Sequence, residues 1–409
     1  MPDVSFHSLL VVSAVAVLAP LLLGYAPRLR VPAVVLEIVA GIALGPSGLG
    51  WIELDLPVQV LAVLGLAFLL FLAGLEIDLR ALRGRVLGRA CAGYGITLVL
   101  GLAVGAASLA AGAVTSAESV TLVAIALSAT SLGLVVPVLK DAGVLAGAVG
   151  RETVAAATVA DFAAVVLLSL LFSASEGGTG ERLALLGAFV VLVVATAAAV
   201  LTAGRSMRLG DVLLRLQDTT AEIRVRLAVL LLVGFVVLAE RFGLESILGA
   251  FLAGAVVAAV DRDAASHPHF RVKLEAVGYG FLVPVFFVAS GARLDVSGLV
   301  ADPSALLAVP AYLAALLAVR GTPALILLRP LGRRSAAAAA LLQATSLPFV
   351  VTATQIGVAT GLLSPVTAAG LVCAGLLSVL AFPAAALTLL RPAAAESELP
   401  RDESQGVHL

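Results

Sequence analysis

Apolar runs of about 20 residues, each enough to cross a hydrocarbon core of ~30 Å as a helix, alternate with short polar boundaries along almost the whole chain. Thirteen spans fit the runs: about 8–27, 32–48, 57–75, 87–113, 118–139, 150–173, 182–204, 224–241, 245–261, 275–292, 304–329, 335–359 and 364–390. Proline or charge marks the boundaries, as at Gly45-Pro46 after the second span and Asp302-Pro303 ahead of the eleventh. The expected fold is an all-α polytopic membrane protein with about 13 transmembrane helices. The first run follows M-P-D-V-S-F-H, which lacks Lys and Arg and carries Asp3. A secretory leader wants a positive start, so this run is expected to remain as an uncleaved helix.

Composition sharpens the class. The chain is 61% hydrophobic and 12% charged, where a soluble domain sits near 45–50% and about 25%. The spans exclude a soluble enzyme, so no enzymatic activity is expected. A net charge of −1 offers no basic face to nucleic acid; the expected surroundings are a lipid bilayer. Cys91 and Cys373 stand singly, without metal or redox spacing.

Lys and Arg accumulate in cytoplasmic loops, and here they divide sharply. Of the 25 Lys and Arg, 21 fall in loops after odd-numbered spans or in the tail, while Arg182, Arg241 and Arg293 lie opposite and Arg320 lies inside a span. The N-terminus is therefore expected outside and the C-terminus in the cytoplasm. Adding or removing one span would scramble this partition.

The chain also repeats itself. A-T-S-L-G-L-V-V (129–136) recurs as A-T-S-L-P-F-V-V (344–351), 215 positions later. L-E-I-V-A-G (36–41) faces G-A-F-L-A-G (249–254), and L-F-L-A-G-L-E-I-D (70–78) faces F-F-V-A-S-G-A-R-L-D (286–295), at nearly the same offset. The copies lie seven spans apart, an odd number, so equivalent helices run in opposite directions: an inverted repeat. The expected organisation is a first six-helix repeat over 1–173, a linker helix and cytoplasmic connector over 174–223, a second repeat over 224–391 and a short tail over 392–409. In the connector, Leu209, Val212, Leu213 and Leu216 suit a helix lying on the inner membrane face.

An ionisable side chain at bilayer depth is a functional candidate by default. Asp161 lies ten residues past Arg151, Thr130 ten before Lys140 and Thr345 eleven past Arg334. At 1.5 Å per residue each stands ~15–16 Å deep, about half the hydrocarbon thickness. A monovalent cation must exchange its water for oxygens, and one carboxylate supplies both charge and ligands. Thr130 and Ser131 can add hydroxyl or carbonyl oxygens where the helix is broken. Thr158, three residues before Asp161, shares its helix face. Thr345 and Ser346 mark the second break, where Pro348 has no amide hydrogen to donate; Gly133 holds the matching place in the first. Burial favours the protonated form of a carboxyl and a bound cation favours its ionised form, so proton and cation compete for one group. Position 160 is alanine, so no second acid flanks Asp161. One proton per cation, with no net charge moved, is the expected balance. Glu37 and Arg320 lie ~10 Å and ~13 Å deep by helical rise; a structural role, as mutual partners or as counter-charges to half-helix ends, outweighs direct ion binding. His267 and His269 fall in a cytoplasmic loop, where solvation outweighs pH sensing.

Several stretches together resemble the cation:proton antiporter-2 family. They are E-I-V-A-G-I-A-L-G-P-S-G-L-G (37–50), L-G-L-A-F-L-L-F-L-A-G-L-E (64–76), the Thr-Ser break before Asp161, I-L-G-A-F-L-A-G (247–254) and P-V-F-F-V-A-S-G (284–291). The resemblance covers roughly 8–390. It implies a homodimer in the bacterial cytoplasmic membrane, two crossed discontinuous helices, elevator-like alternating access, no cofactor, and exchange of Na+ or K+ for H+. The family commonly has Asp, Asn or Gln where this chain has Ala160, and many members have Gly-Glu where it has Thr345-Ser346. Electrogenic members carry Lys near Ala289, and its absence favours electroneutral exchange. The alternatives are proton- or sodium-coupled export of a small organic solute, or a passive ion channel.

Overall fold

The computed structural model describes residues 6–25, 31–77, 84–141, 143–171, 179–203, 222–260 and 268–397. The described residues are helical throughout, without a strand. The helices are α1 (His7–Tyr25), α2 (Ala33–Leu44), α3 (Leu56–Leu75), α4 (Gly84–Ala110), α5 (Ala117–Ser128), α6 (Leu132–Asp141), α7 (Ala148–Leu171), α8 (Thr179–Ala203), α9 (Ile223–Arg241) and α10 (Ser246–Val260). They continue with α11 (Pro268–Val277), α12 (Val283–Ala292), α13 (Val296–Ala301), α14 (Pro303–Gly321), α15 (Leu328–Gln343), α16 (Pro348–Ala359) and α17 (Pro365–Ser397). Eight helical stretches among the described residues are long and apolar enough to cross a membrane, and three shorter apolar helices accompany them. The connector helix expected around 209–216, and His267, lie outside the described residues.

Several expected spans are not single helices, for local reasons. The fifth breaks between Ser128 and Leu132, and the twelfth between Gln343 and Pro348. The tenth is α11 and α12 joined by a π turn at Gly278–Leu282. Gly278 sits there with the Phe68 and Leu72 side chains against it, so that a side chain at this position would displace them. After α14 the chain tightens to a 3-10 segment, Thr322–Leu327, whose second residue is Pro323. Gly332 bends α15 with a positive φ of 77° that glycine alone adopts freely.

The core is set by two close helix crossings. A side chain at Gly41 of α2 would strike the Val288 carbonyl of α12, and one at Gly291 would strike the Ile38 carbonyl of α2. Likewise Gly74 of α3 meets the Phe251 carbonyl of α10, and Gly254 meets the Phe71 carbonyl of α3. Gly41 and Gly254 end matching segments of the sequence repeat, and Gly74 and Gly291 hold matching places within another pair. The α2–α12 crossing thus reuses, with exchanged partners, the glycines of the α3–α10 crossing. Small residues let backbones approach where lipid supplies no hydrophobic drive between helices. Gly254→Val is expected to lower the midpoint of heat-induced aggregation in detergent. A backbone carbonyl cannot rotate away as a side chain can, and overpacking costs about 1–3 kcal/mol. Gly95→Ala is the control, because nothing lies within 4 Å of that position. Equal midpoints for the two variants would contradict the close crossing.

Candidate functional site

The two helix breaks meet and bond to each other. The Ser131 amide donates to the Thr345 carbonyl at 2.9 Å. The Leu347 amide donates to Ser131 Oγ at 3.1 Å, and Thr130 Oγ1 donates to the Gln343 carbonyl at 2.7 Å. Helix ends leave unsatisfied amides and carbonyls, and here each break supplies partners for the other. Four half-helix ends converge: the carbonyl ends of α5 and α15, which are partially negative, and the amide ends of α6 and α16, which are partially positive.

Two charged side chains complement those ends. Asp161, on α7 and half-buried, accepts the Thr130 amide at 3.0 Å. Arg320, on α14, is 1% exposed and lies toward the carbonyl ends. Its Nε donates to Thr130 Oγ1 at 2.9 Å, its Nη2 donates to the same oxygen, and its Nη1 donates to Thr97 Oγ1 at 3.2 Å. Thr130 therefore joins the two: its amide serves the carboxylate, and its hydroxyl relays the guanidinium to the Gln343 carbonyl. Tyr94 pairs with Ser128 at 3.1 Å behind this network.

A cavity of about 270 Å³ reaches Asp161. Its wall includes Thr130, Ser131, Gly133, Pro348 and two further acids, Glu37 and Glu76. Pro32 and Ala33 at the start of α2 and Glu76 at the end of α3 also line it. The cavity therefore extends to the end of the bundle where α2 begins and α3 stops.

Asp161, Thr130 and Ser131 are brought together at the cavity's inner end, and the backbone of Thr345 joins them. Thr158 is not: it is 4% exposed, and its hydroxyl donates to the Val154 carbonyl of its own helix at 2.9 Å. The Thr345 hydroxyl is similarly bound to the Leu341 carbonyl at 3.1 Å. Ser346 Oγ is buried without a hydrogen-bond partner, and its backbone is tied at 3.2 Å in both directions to Ser378 Oγ. The second break thus contributes main chain to the meeting point rather than hydroxyls to the cavity. Glu37 lines the cavity instead of pairing with Arg320, whose hydrogen-bond partners are Thr130 and Thr97.

Sequence reasoning left Glu76 out of the site, although it belongs to the repeated segment that ends the third span. Glu76 Oε2 is buried without a partner, and Gly133 lies beside both the Glu76 carboxylate and the Tyr279 hydroxyl. The available signal was G-L-E-I-D at 74–78 recurring as G-A-R-L-D at 291–295, with a charge at the same place. Tyr279 reaches the cavity from the π turn, which no sequence signal marks. Among the described residues, no group of three or more His, Cys, Asp or Glu could hold a metal ion in a fixed cage.

Comparison with known proteins bears on this site. The family model for "Sodium/hydrogen exchanger, transmembrane" matches residues 13–389. The Na(+)/H(+) antiporter of Enterococcus hirae is 31% identical over 282 residues, 66% of this chain and 69% of that protein. Bacillus subtilis (strain 168) YjbQ is 32% identical over 372 residues, 87% of this chain. Cation/H(+) antiporter 18 of Arabidopsis thaliana is 32% identical over 295 residues, 66% of this chain. The match to this chain spans 58% of YjbQ and 35% of the plant protein. Among solved structures, the sodium proton antiporter MjNhaP1 of Methanocaldococcus jannaschii superposes with a TM-score of 0.67 at 17% identity, covering 94% of this chain and 98% of that one. At that identity the likeness speaks for the fold.

Proposed function

The chain belongs to the sodium/hydrogen exchanger family, and from that footing we propose that it exchanges a monovalent cation, Na+ or K+, for H+, with Asp161 carrying each in turn. The observation that carries this proposal is the acid's position. Asp161 stands where the cavity ends, against the amide end of a broken helix, and Arg320 balances the carbonyl ends.

The Thr130 amide holds the carboxylate in place and lowers the cost of its charge when it is empty. A cation that sheds water here finds the carboxylate, the Ser131 hydroxyl and carbonyls freed where α5 stops. The Thr130 hydroxyl is committed to Arg320 and Gln343, so it positions the site rather than coordinating. Protonated or cation-bound, the carboxyl is neutral and can cross a low-dielectric barrier; the bare carboxylate is held back. Alternation of the two loaded forms gives one proton per cation and no net charge moved. Glu37 and Glu76 line the approach and raise the local cation concentration. The working assembly we propose is a homodimer in the bacterial cytoplasmic membrane, N-terminus outside. In each chain the repeats 1–173 and 224–391 flank the connector 174–223, and no cofactor takes part.

Proteoliposomes carrying an internal pH dye test this. Adding Na+ or K+ is expected to evoke proton flux whose rate does not change when a potassium ionophore clamps the voltage during Na+ exchange. A voltage-dependent rate would sink one-for-one exchange. Current under voltage at uniform pH would identify a channel. Proton flux driven by an organic solute, without alkali cation, would identify an exporter.

A further inference from the structure

A second cavity, of about 320 Å³, lies between α12, α16 and α17. Its wall includes Ser290, Arg293, Leu294, Thr354 and Gln355, and reaches Ala359 at the end of α16 and Pro365 at the start of α17. Gln355 Nε2 donates to Ser290 Oγ at 2.8 Å, and Ser290 Oγ donates to the Phe286 carbonyl at 2.6 Å. Arg293 caps α12, so this cavity opens on the face opposite the acidic one, the outer face by the distribution of Lys and Arg.

The two cavities carry opposite charge. The first is lined by Asp161, Glu37 and Glu76, with no Lys or Arg among the described lining residues. The second is lined by Arg293, with no Asp or Glu among them. Asp295, the acid closest in sequence, is turned to the next helix: it accepts the Gly298 amide at 2.8 Å and the Ser297 hydroxyl at 3.3 Å. Glu76 and Arg293 also hold the same place in the repeat. Each is the residue just past its helix, two after the glycine and two before the aspartate of G-L-E-I-D and G-A-R-L-D.

We infer that Arg293 makes the exchange one-sided, by holding a positive charge in the outer vestibule that weakens cation binding from that face. The inference rests on the exchange proposed above and adds to it a residue that sets sided affinity. A fixed charge in a cavity with low-dielectric walls acts on an arriving ion far more strongly than the same charge on an open surface. By sequence the loops carry the opposite bias, with Lys and Arg concentrated after odd-numbered spans and Glu53, Asp55 and Asp302 in the connections on the other side. Charges on an open surface are screened over about 8 Å at physiological ionic strength; Arg293 differs from them in lining the cavity wall. The charge cannot alter the equilibrium gradient. It alters the cation concentration needed for half-maximal rate at each face.

The test compares right-side-out and inside-out vesicles at equal pH on both faces and low ionic strength. Wild type is expected to need more cation from the outer face than from the inner one. Arg293→Gln should lower the outer half-saturation about threefold to tenfold and leave the inner one unchanged, while Arg293→Lys should keep the wild-type value. A purely structural role would move both faces together, and that result overturns the proposal, as does an outer value unchanged in Arg293→Gln. If the Gln variant does not fold, wild type decides. Its outer-to-inner ratio should fall toward one as choline chloride approaches about 1 M, where the Debye length is about 3 Å; a ratio indifferent to salt overturns the proposal. Absence of cation-evoked proton flux from both faces is a separate result, and it removes the exchange itself.

Discussion

Asp161→Asn is expected to abolish cation-evoked proton flux, bringing it to the level of protein-free liposomes. Asparagine keeps the size of the side chain and an oxygen for the Thr130 amide, which approaches Asp161 at 3.0 Å in the native protein. What it loses is the negative charge that replaces part of the cation's hydration, and the ability to take up and release a proton. Both half-reactions fail together, so the loss should appear at every pH and cation concentration. Stability is not expected to follow activity, because a neutral side chain is easier to bury than a charged one. Asp161→Asn should therefore melt no lower than wild type. Wild-type flux in this variant would remove Asp161 from the mechanism; lost flux with a collapsed melting curve would mean that the carboxylate holds the fold instead.

Arg320→Met should be the most damaging change away from the carboxylate, for a different reason. The guanidinium donates to Thr130 Oγ1 and Thr97 Oγ1 inside the protein, where water cannot replace it. Its removal strips the counter-charge from the carbonyl ends of α5 and α15 and leaves the buried Thr130 and Thr97 hydroxyls without their charged donor. Leaving a buried polar group without its partner costs about 1–3 kcal/mol. A marked fall in melting temperature and nearly complete loss of flux are expected together. Arg320→Lys tells charge from geometry. It restores the positive charge but not the planar fork that grips one oxygen from two nitrogens, so it should recover most of the stability and only part of the rate. If Met and Lys behave alike, the charge is not what matters at this position.

The sequence reached the fold class and the breaks, and stopped short of the side-chain partnerships. Run length identified the apolar helices because a bilayer imposes a minimum length on anything that crosses it. The breaks at Thr130-Ser131 and Thr345-Ser346 were visible because the pair recurs in apolar surroundings and Pro348 removes a donor. Depth could be read from the rise per residue, and Asp161 does meet the Thr130 amide. Thr158 shows where such counting fails. Three residues from Asp161 on one helix, it nevertheless spends its hydroxyl on Val154 and lies outside the cavity wall. Spacing along a helix gives a shared face but not which neighbour that face meets.

Glu37 and Arg320 make the same point with charges. They were expected as mutual partners or as counter-charges to half-helix ends; Glu37 lines the cavity, while Arg320 lies at the breaks, in keeping with the second form. In a helix apolar on every side, periodicity no longer tells inside from outside, so rotation about the axis is set by packing. Here the packing is the two glycine crossings, which fix how α2 and α3 turn against α12 and α10. Which segments are apolar enough to cross and where two of them stop are therefore properties of the chain as written. Which amide that acid accepts, which charged residues line each cavity, and that Glu76 joins the first were decided only when the helices closed on one another, because those contacts join residues far apart in sequence.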